Sequence, residues 1–113
     1  LRDAGYLGVS SMWARPQGTG DPEFMQVNTH LDPVHWPNGV GFVGRYRALG
    51  QILKHLYAKR TGRREFDEPT GLLTHHLVQD DEVWDFCEAL LQTLSEHPAV
   101  QWTDARKIWK GLR

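Results

Sequence analysis

The sequence predicts one α/β domain in which parallel strands alternate with helical crossovers, and three observations support this fold class. Short stretches of strand character alternate with segments whose apolar residues recur every three or four positions. Glycine and proline punctuate the connections between them. The composition, 40% hydrophobic and 24% charged in 113 residues, is typical of a single globular domain. The predicted order is strand, strand, helix, strand, helix, strand, helix.

The N-terminal part is predicted to contribute the first two strands. Residues 1–5, LRDAG, have the form of the last turn of a helix ended by Gly5, as expected where a fragment of a longer chain begins. We expect the first strand in YLGVSSM, residues 6–12, and the second in FMQVNTHL, residues 24–31. The next stretch, DPVHWPNG, is predicted to be a loop because its two prolines lack the backbone donor that a strand uses.

The central part is predicted to hold a long helix and a third strand. Residues 42–60 have the periodicity of an amphipathic helix that ends at Gly62. Its predicted apolar face consists of Val43, Tyr46, Leu49, Ile52, Leu53, Leu56 and Tyr57. GLLTHHLV, residues 71–78, is the third predicted strand.

The C-terminal part is predicted to add two helices and one strand. Asp80 or Asp81 caps a second amphipathic helix, which the HP pair at residues 97–98 stops. Its predicted apolar face consists of Val83, Trp84, Cys87, Leu90, Leu91 and Leu94. AVQW is the fourth predicted strand, and Thr103 is the predicted cap of the last helix, DARKIWKGL.

Charge and composition exclude several classes of partner. The formal net charge of −1 gives no support for nucleic acid as a partner, or for attraction of the whole domain to an anionic membrane. A local basic run, KRTGRR at residues 59–64, is either a solvated loop or an anion-binding patch. No apolar segment approaches the roughly 18 residues that a membrane span requires, so no span is expected. The lone Cys87 offers neither an intrachain disulfide nor a thiolate metal site, which leaves the compartment open between cytoplasm and cell envelope.

Sites in a parallel α/β fold lie at the carboxyl ends of the strands, where MWARPQG, THLDPVHW and THHLVQDD follow predicted strands. His75 and His76 are adjacent in the last stretch and would point to opposite faces of a strand. We expect His75 to point into the site with Leu73, near Asp32 and Trp36. We expect His76 to turn away and to be replaceable.

Two other interpretations of the motifs are open. His30, His35 and His75 together could hold zinc, although they lack the close spacing of a specific metal motif. GVGFVG at residues 39–44 matches the dinucleotide pattern G-x-G-x-x-G, but no predicted strand leads directly into it, so a helix-entry loop is favoured. His55 falls within a predicted helix and is expected to be structural.

Three motifs in this order resemble the third, fourth and fifth motifs of the polysaccharide deacetylases, the NodB-homology or carbohydrate esterase family 4 enzymes. L-x-x-x-G-Y leading to Arg15-x-Pro is similar to the arginine motif of that family. Asp32-Pro-Val-His35-Trp36 resembles its D-x-x-D-W motif, and LLTH at residues 72–75 resembles its L-x-L-x-H segment. The resemblance spans most of the chain.

The resemblance implies the parallel-stranded half of a distorted (β/α) barrel that hydrolyses N-acetyl groups of an amino-sugar polymer. It implies His75 as the general acid and Arg15 as the residue that orients the catalytic base. Asp32 would favour and fix the charged form of His75. Trp36 would form a wall of the acetyl pocket, and Leu73 would contact the acetyl methyl group.

Two motifs of that family, T-F-D-D-G and H-x-x-x-H, do not occur in the sequence, and they supply the base and every metal ligand. We therefore expect residues 1–113 to be the C-terminal portion of a larger domain. A divalent metal such as zinc is expected in a complete parent domain and not in this chain alone. His35 stands where the fourth motif has its second aspartate.

The expected partners follow from the same interpretation. The substrate would be an N-acetylated polysaccharide or oligosaccharide. Unpaired sheet edges of a half barrel favour self-association or pairing with the missing N-terminal half. The alternative function is a non-catalytic carbohydrate-binding or interaction domain on the same scaffold, with Trp13 and Trp36 as stacking platforms for sugar rings.

Overall fold

The computed structural model describes residues 1–15, 21, 23–64 and 68–109. These residues form a mixed α/β arrangement whose elements, in chain order, are a 3-10 helix Arg2–Ala4, β1 Gly8–Val9, β2 Met25–Gln26, β3 Val34–His35, β4 Gly41–Phe42, α1 Arg45–Arg60, α2 Asp81–Ser95 and α3 Ala105–Trp109. Among them, no helix is long and apolar enough to cross a membrane. Residues 16–20 and 22 of the connection between the first two predicted strands, and the predicted end of the last helix at 110–112, lie outside the described residues.

β1 and β2 are parallel, and the parallel arrangement extends to a third segment of the chain. Beyond the two strands, one parallel bridge joins Met12 to Thr29 and another joins Leu31 to Leu72. The carbonyl of Leu31 also accepts the N–H of Leu73 at 2.9 Å. The spatial order is therefore β1, β2 and the segment around Leu72, and all of these pairings are parallel. That these segments are half of a (β/α) barrel stays a prediction.

Gly8 in β1 allows two other elements to approach the strand closely. A Cβ atom at this position would lie 2.5 Å from the carbonyl oxygen of Met25 and 2.6 Å from the ring of Trp109. Real Cβ atoms do not approach other atoms so closely, so only glycine fits between β2 and α3.

β3 and β4 form an antiparallel hairpin where the sequence predicted a loop. The turn between them has left-handed backbone at Asn38, with φ 61°, and at Gly39, with φ 118°. The prediction was wrong because β3 has only two residues, and both lie between Pro33 and Pro37, where each keeps its own N–H. The prolines limit the strand without preventing it.

α1 begins at Arg45, later than the predicted residue 42. Phe42 belongs to β4, and Gly44 has φ 90°, a left-handed conformation that the helix cannot include. The helix ends at Arg60 as predicted, and Gly62 follows with φ 70°.

The predicted apolar face of α1 is only partly buried. Ala48 and His55 are the buried residues of this helix. Four members of the predicted face remain exposed: Tyr46 at 90%, Leu53 at 65%, Tyr57 at 60% and Leu56 at 46%. The prediction was wrong for these four because the side of α1 that carries Ala48 and His55 is buried in their place.

α2 begins at the predicted cap. The Oδ1 atom of Asp80 accepts the N–H of Val83 at 2.9 Å. The hydrophobic core of the described residues consists of Leu31, Val34, Ala48, Val83, Phe86 and Cys87. Trp84 and Leu91, which were predicted to face this core, are 44% and 40% exposed.

Two of the predicted strands do not form among the described residues. In residues 71–78 only Leu72 makes a β-bridge, and residues 76–78 turn toward α2. Residues 99–102 form no β-bridge, and the preceding turn is closed by the N–H of Val100 donating to the carbonyl of His97 at 3.0 Å.

The start of α3 also differs by one residue from its prediction. Asp104, and not Thr103, provides the cap, because its Oδ1 atom accepts the N–H of Arg106 at 2.7 Å. Arg106 returns a bidentate contact to the same carboxylate, which lowers the pKa of Asp104.

Candidate functional site

The ends of two neighbouring parallel segments bring Asp32 and His75 together. Leu31 and Leu72 form a parallel β-bridge with each other. Asp32 follows Leu31 directly, and His75 comes three residues after Leu72. The Nε2 atom of His75 lies 3.2 Å from each carboxylate oxygen of Asp32. The side chains are 17% exposed for Asp32 and 24% exposed for His75, so solvent reaches a pair that is otherwise shielded. A carboxylate in this position fixes the orientation of the imidazole ring.

Trp36 completes this group of three side chains. Its ring meets the ring of His75 edge to face, with centroids 5.0 Å apart and an angle of 83° between the planes. Its Nε1 atom donates a long hydrogen bond of 3.4 Å to Oδ2 of Asp32. The indole is 48% exposed, so one side of it is open to a ligand.

Asp32 is held in place by one hydrogen bond to its side chain and by two to its main chain. Its Oδ1 atom accepts the N–H of Val34 at 2.9 Å. On α1, Gln51 accepts the N–H of Asp32 through Oε1 at 2.9 Å and donates from Nε2 to its carbonyl oxygen at 3.2 Å. The sequence-based prediction missed Gln51. Its position on the same side of the helix as Ala48 and His55, both buried, was the available signal.

His75 is oriented by a turn. Its carbonyl accepts the N–H groups of Val78 and Gln79, and its own N–H donates to Oε1 of Gln79 at 2.6 Å. His76 is exposed, and Leu73 is half-buried on the segment that leads into the turn. His75 therefore faces the carboxylate and His76 faces solvent, as expected, although a turn and not strand alternation separates them.

Arg15 does not reach the Asp32–His75 pair through any contact among the described residues. Its Nη1 atom donates to the carbonyl of Gln26 at 2.9 Å, and its N–H donates to Oε2 of Glu68 at 3.1 Å. Its Nε atom is buried and has no hydrogen-bond partner in the described part of the chain. The role of Arg15 in orienting a base stays a prediction.

Trp13 holds an unusual backbone conformation at the surface. It is 56% exposed, and its φ of 72° lies in the left-handed region that bulky residues rarely adopt. Two hydrogen bonds keep it there: its N–H donates to the carbonyl of Thr29 at 2.8 Å, and its carbonyl accepts Nδ2 of Asn28 at 2.7 Å.

A second polar group, the buried histidine cluster, consists of Asn28, His30, His55 and Glu68, each at most 5% exposed. The rings of His30 and His55 stack with centroids 3.6 Å apart. Nε2 of His30 lies 3.3 Å from Oε2 of Glu68, and Oε1 of Glu68 accepts the N–H of Asn28 at 3.2 Å. Gly71 donates its N–H to Nδ1 of His30 at 3.0 Å.

Burial keeps both stacked histidines neutral near pH 7. It lowers the pKa of His55 to about 4, and repulsion from a protonated His30 and from Lys59 acts in the same direction. Burial also lowers the pKa of His30, against the opposing effect of Glu68. Because Nδ1 of neutral His30 accepts a hydrogen bond, its proton lies on Nε2, toward the carboxylate. The expectation that His55 is structural agrees with this packing, whereas Glu68 was missed by the sequence analysis.

The described residues were also compared with the requirements of a metal site. Within the described ranges, no group of three or more His, Cys, Asp or Glu side chains is arranged to hold one. The alternative zinc ligands do not come together, since His30 is engaged by Gly71 in the interior, His75 is bonded to Asp32, and His35 lies in β3.

The described geometry places an aspartate–histidine pair beside an exposed indole, at the ends of parallel chain segments. Comparisons with protein-family models, with curated proteins and with solved structures gave no match. What is known of this site therefore comes from the arrangement of Asp32, Trp36 and His75 and from the three sequence motifs.

Proposed function

We propose that this chain provides the general-acid side of a metal-dependent polysaccharide N-deacetylase that acts on N-acetylated amino-sugar polymers. The observation that supports the proposal is the contact of His75 Nε2 with both carboxylate oxygens of Asp32, with Trp36 against the imidazole. The residues of this group belong to the stretches that resemble the fourth and fifth family motifs. On this proposal the fold is the parallel-stranded half of a distorted (β/α) barrel.

Amide hydrolysis needs a proton donor because an amine anion is a very poor leaving group. After water adds to the acetyl carbonyl, the C–N bond breaks as the nitrogen takes a proton. With Nε2 of His75 on Asp32, Nδ1 is the ring nitrogen left to deliver that proton, and it has no hydrogen bond to any described residue. Asp32 stabilises the imidazolium before transfer, and the imidazole is neutral afterwards.

Trp36 and Leu73 are assigned to substrate positioning. The open side of the Trp36 indole would pack against the acetyl group and exclude water from it. Leu73 lies two residues before His75 and would contact the acetyl methyl group. Arg15 would orient the base.

The metal and the base are assigned to residues outside these 113. When bound, a divalent metal would polarise the acetyl carbonyl and the attacking water. Asp32 is already engaged by His75, Trp36 and Val34, so this site does not provide a metal ligand set. The steps assigned to this chain are binding, orientation and proton donation.

The test measures acetate release from an N-acetylated amino-sugar oligosaccharide by a polypeptide that carries this chain together with the D-D and H-x-x-x-H motifs. His75→Asn is expected to lower kcat by roughly 10²- to 10⁴-fold with little change in KM, the usual contribution of a general acid. His76→Asn is the matched control and should retain wild-type kcat. Equal rates for the two variants would remove His75 from the mechanism.

A non-catalytic carbohydrate-binding domain is the second candidate, and the exposed indoles of Trp13 and Trp36 favour it. Sugar rings stack on such open aromatic faces. In a tryptophan-fluorescence titration of this chain with the oligosaccharide, Trp13→Ala and Trp36→Ala would each weaken binding. His75→Asn would leave binding unchanged. Binding that needs both indoles, without acetate release by the longer polypeptide, would establish this second function.

A further inference from the structure

The outward side of α1 is apolar and basic at once. Tyr46 and Leu53 are 90% and 65% exposed, and each is followed directly by a cation, Arg47 and Lys54 respectively. The helix Arg45–Arg60 contains five Lys and Arg residues and no carboxylate. We call Tyr46, Arg47, Leu53 and Lys54 the basic strip.

α2 carries the complementary pattern. Trp84 and Leu91 are 44% and 40% exposed. Asp81 and Glu88 are exposed on the same side of this helix. The whole helix, Asp81–Ser95, contains four carboxylates and no Lys or Arg. We call Asp81, Trp84, Glu88 and Leu91 the acidic strip.

We propose that the basic strip of one copy binds the acidic strip of a second copy of this chain. In each strip the two apolar residues are seven positions apart and so are the two charges, a repeat of about 10 Å along a helix. Two cations can therefore face two carboxylates while the apolar side chains pack between the helices, as in a short coiled coil. None of these four charged side chains makes an ion pair with another described residue of its own chain.

The position of the two helices allows both contacts to form at once. α1 and α2 pack on the same hydrophobic core through Ala48 and Val83, and they share a surface groove lined by Arg45 and Glu82. A two-fold axis between copies would bring each basic strip to the acidic strip of the partner, which closes the assembly as a dimer.

An anionic lipid surface or a nucleic acid would be complementary to only one of the two strips. An anionic lipid surface or a nucleic acid would attract the basic strip but repel the acidic strip, and the net charge of −1 gives neither a long-range advantage. Neither partner would cover Trp84 beside its carboxylates. A second copy covers both strips, and this interaction does not depend on the function of His75.

The test is a charge-swap experiment followed by sedimentation velocity. One variant reverses the basic strip, Arg47→Glu with Lys54→Glu, and the other reverses the acidic strip, Asp81→Lys with Glu88→Lys. Like charges then meet in each homodimer, so each variant alone should dimerise at least about tenfold more weakly than wild type. An equimolar mixture of the two should recover the 1:1 complex. The control Arg106→Glu with Lys107→Glu changes the net charge equally on α3 and should dimerise like wild type.

The outcomes separate the possible partners. A wild-type monomer at every concentration, or a mixture of reversed variants that stays monomeric while both are folded by circular dichroism, would overturn the proposal. Tyr46→Ser alters only a 90% exposed side chain and should also weaken dimerisation, which keeps the test valid if a reversed variant fails to fold. If the chain instead sediments together with phosphatidylglycerol vesicles, and only the variant with the reversed basic strip no longer does so, α1 binds lipid and the dimer proposal is overturned.

Discussion

The side-chain amide of Gln51 makes two hydrogen bonds with the main chain of Asp32, one through its oxygen at 2.9 Å and one through its nitrogen at 3.2 Å. Only a side chain that both donates and accepts can make this pair. The contact fixes the residue that holds His75, although Gln51 itself does not touch the imidazole in any described contact. Gln51 is therefore a positioning residue for the Asp32–His75 pair.

Gln51→Met is expected to lower the free energy of unfolding by about 1–3 kcal/mol, because two main-chain groups of Asp32 lose their partners. It should also shift the ring NMR signals of His75 as the carboxylate moves. Gln51→Glu keeps the acceptor for the Asp32 N–H but loses the donor and places an anionic oxygen against the Asp32 carbonyl, so it should destabilise the chain as well. The control Gln92→Met lies on the exposed side of α2 and should change neither measurement. Unchanged His75 signals in Gln51→Met would show that α1 does not position the site.

The site could be predicted from the sequence only where local patterns carry the information. The order of the motifs and their place after strands led to Asp32, Trp36 and His75. By contrast, Glu68 bonds the main chain of residues 40 and 53 positions away, and no local pattern marks such a partner. Gln51 is similar, since its partner lies across the fold.

The elements of the fold were likewise predictable only where a local sequence pattern marks them. The end of α1 at Arg60 was predicted correctly from local chemistry, and the cap of α2 was narrowed to Asp80 or Asp81, of which the structure has Asp80. The exposed position of Tyr46 was not predictable, because apolar residues lie on more than one side of α1 and a local pattern does not show which of these sides meets the core. The hairpin between Pro33 and Pro37 was missed because a two-residue strand leaves almost no pattern.

Gly8→Ala is expected to destabilise the chain. The added methyl group would overlap the carbonyl of Met25 and the ring of Trp109, at 2.5 and 2.6 Å. Such overpacking typically costs about 1–3 kcal/mol of unfolding free energy, measurable by urea denaturation. Gly50→Ala is the matched control: a Cβ atom there meets nothing within 4 Å, and alanine in a helix should stabilise by about 0.5–1 kcal/mol. Equal effects at the two glycines would contradict the packing of α3 on β1.

Cys87 should be unreactive in the folded chain. Burial in the core raises the pKa of its thiol, so little of the reactive thiolate exists near pH 7, and the side chain is 3% exposed. Alkylation by iodoacetamide, followed by mass spectrometry, should be slow in buffer and rapid in urea. Alkylation at the same rate in both would mean that α2 opens in the native state.

The chain should lose stability in mild acid because of His55. Its pKa is lowered from 6.5 to about 4 in the folded chain, so between these values the unfolded chain binds a proton that the folded chain does not. Above this window both states are neutral at His55, and stability from this source is complete. As the pH falls from 6.5 to about 4, the free energy of unfolding should decrease by on the order of 3 kcal/mol, and the effect should level off below.

The variant His55→Phe separates this effect from that of carboxylates. Phenylalanine can still stack on His30 but cannot take a proton, so its stability should vary less with pH between 6.5 and 4. Carboxylates with lowered pKa values, such as Asp104, change the stability only at lower pH, below the ordinary aspartate value of 3.8. Their effect should be the same in wild type and in His55→Phe. Urea denaturation at a series of pH values gives the comparison. Parallel curves for wild type and His55→Phe would mean that His55 takes up its proton in the folded state, with Glu68 rather than burial controlling its charge.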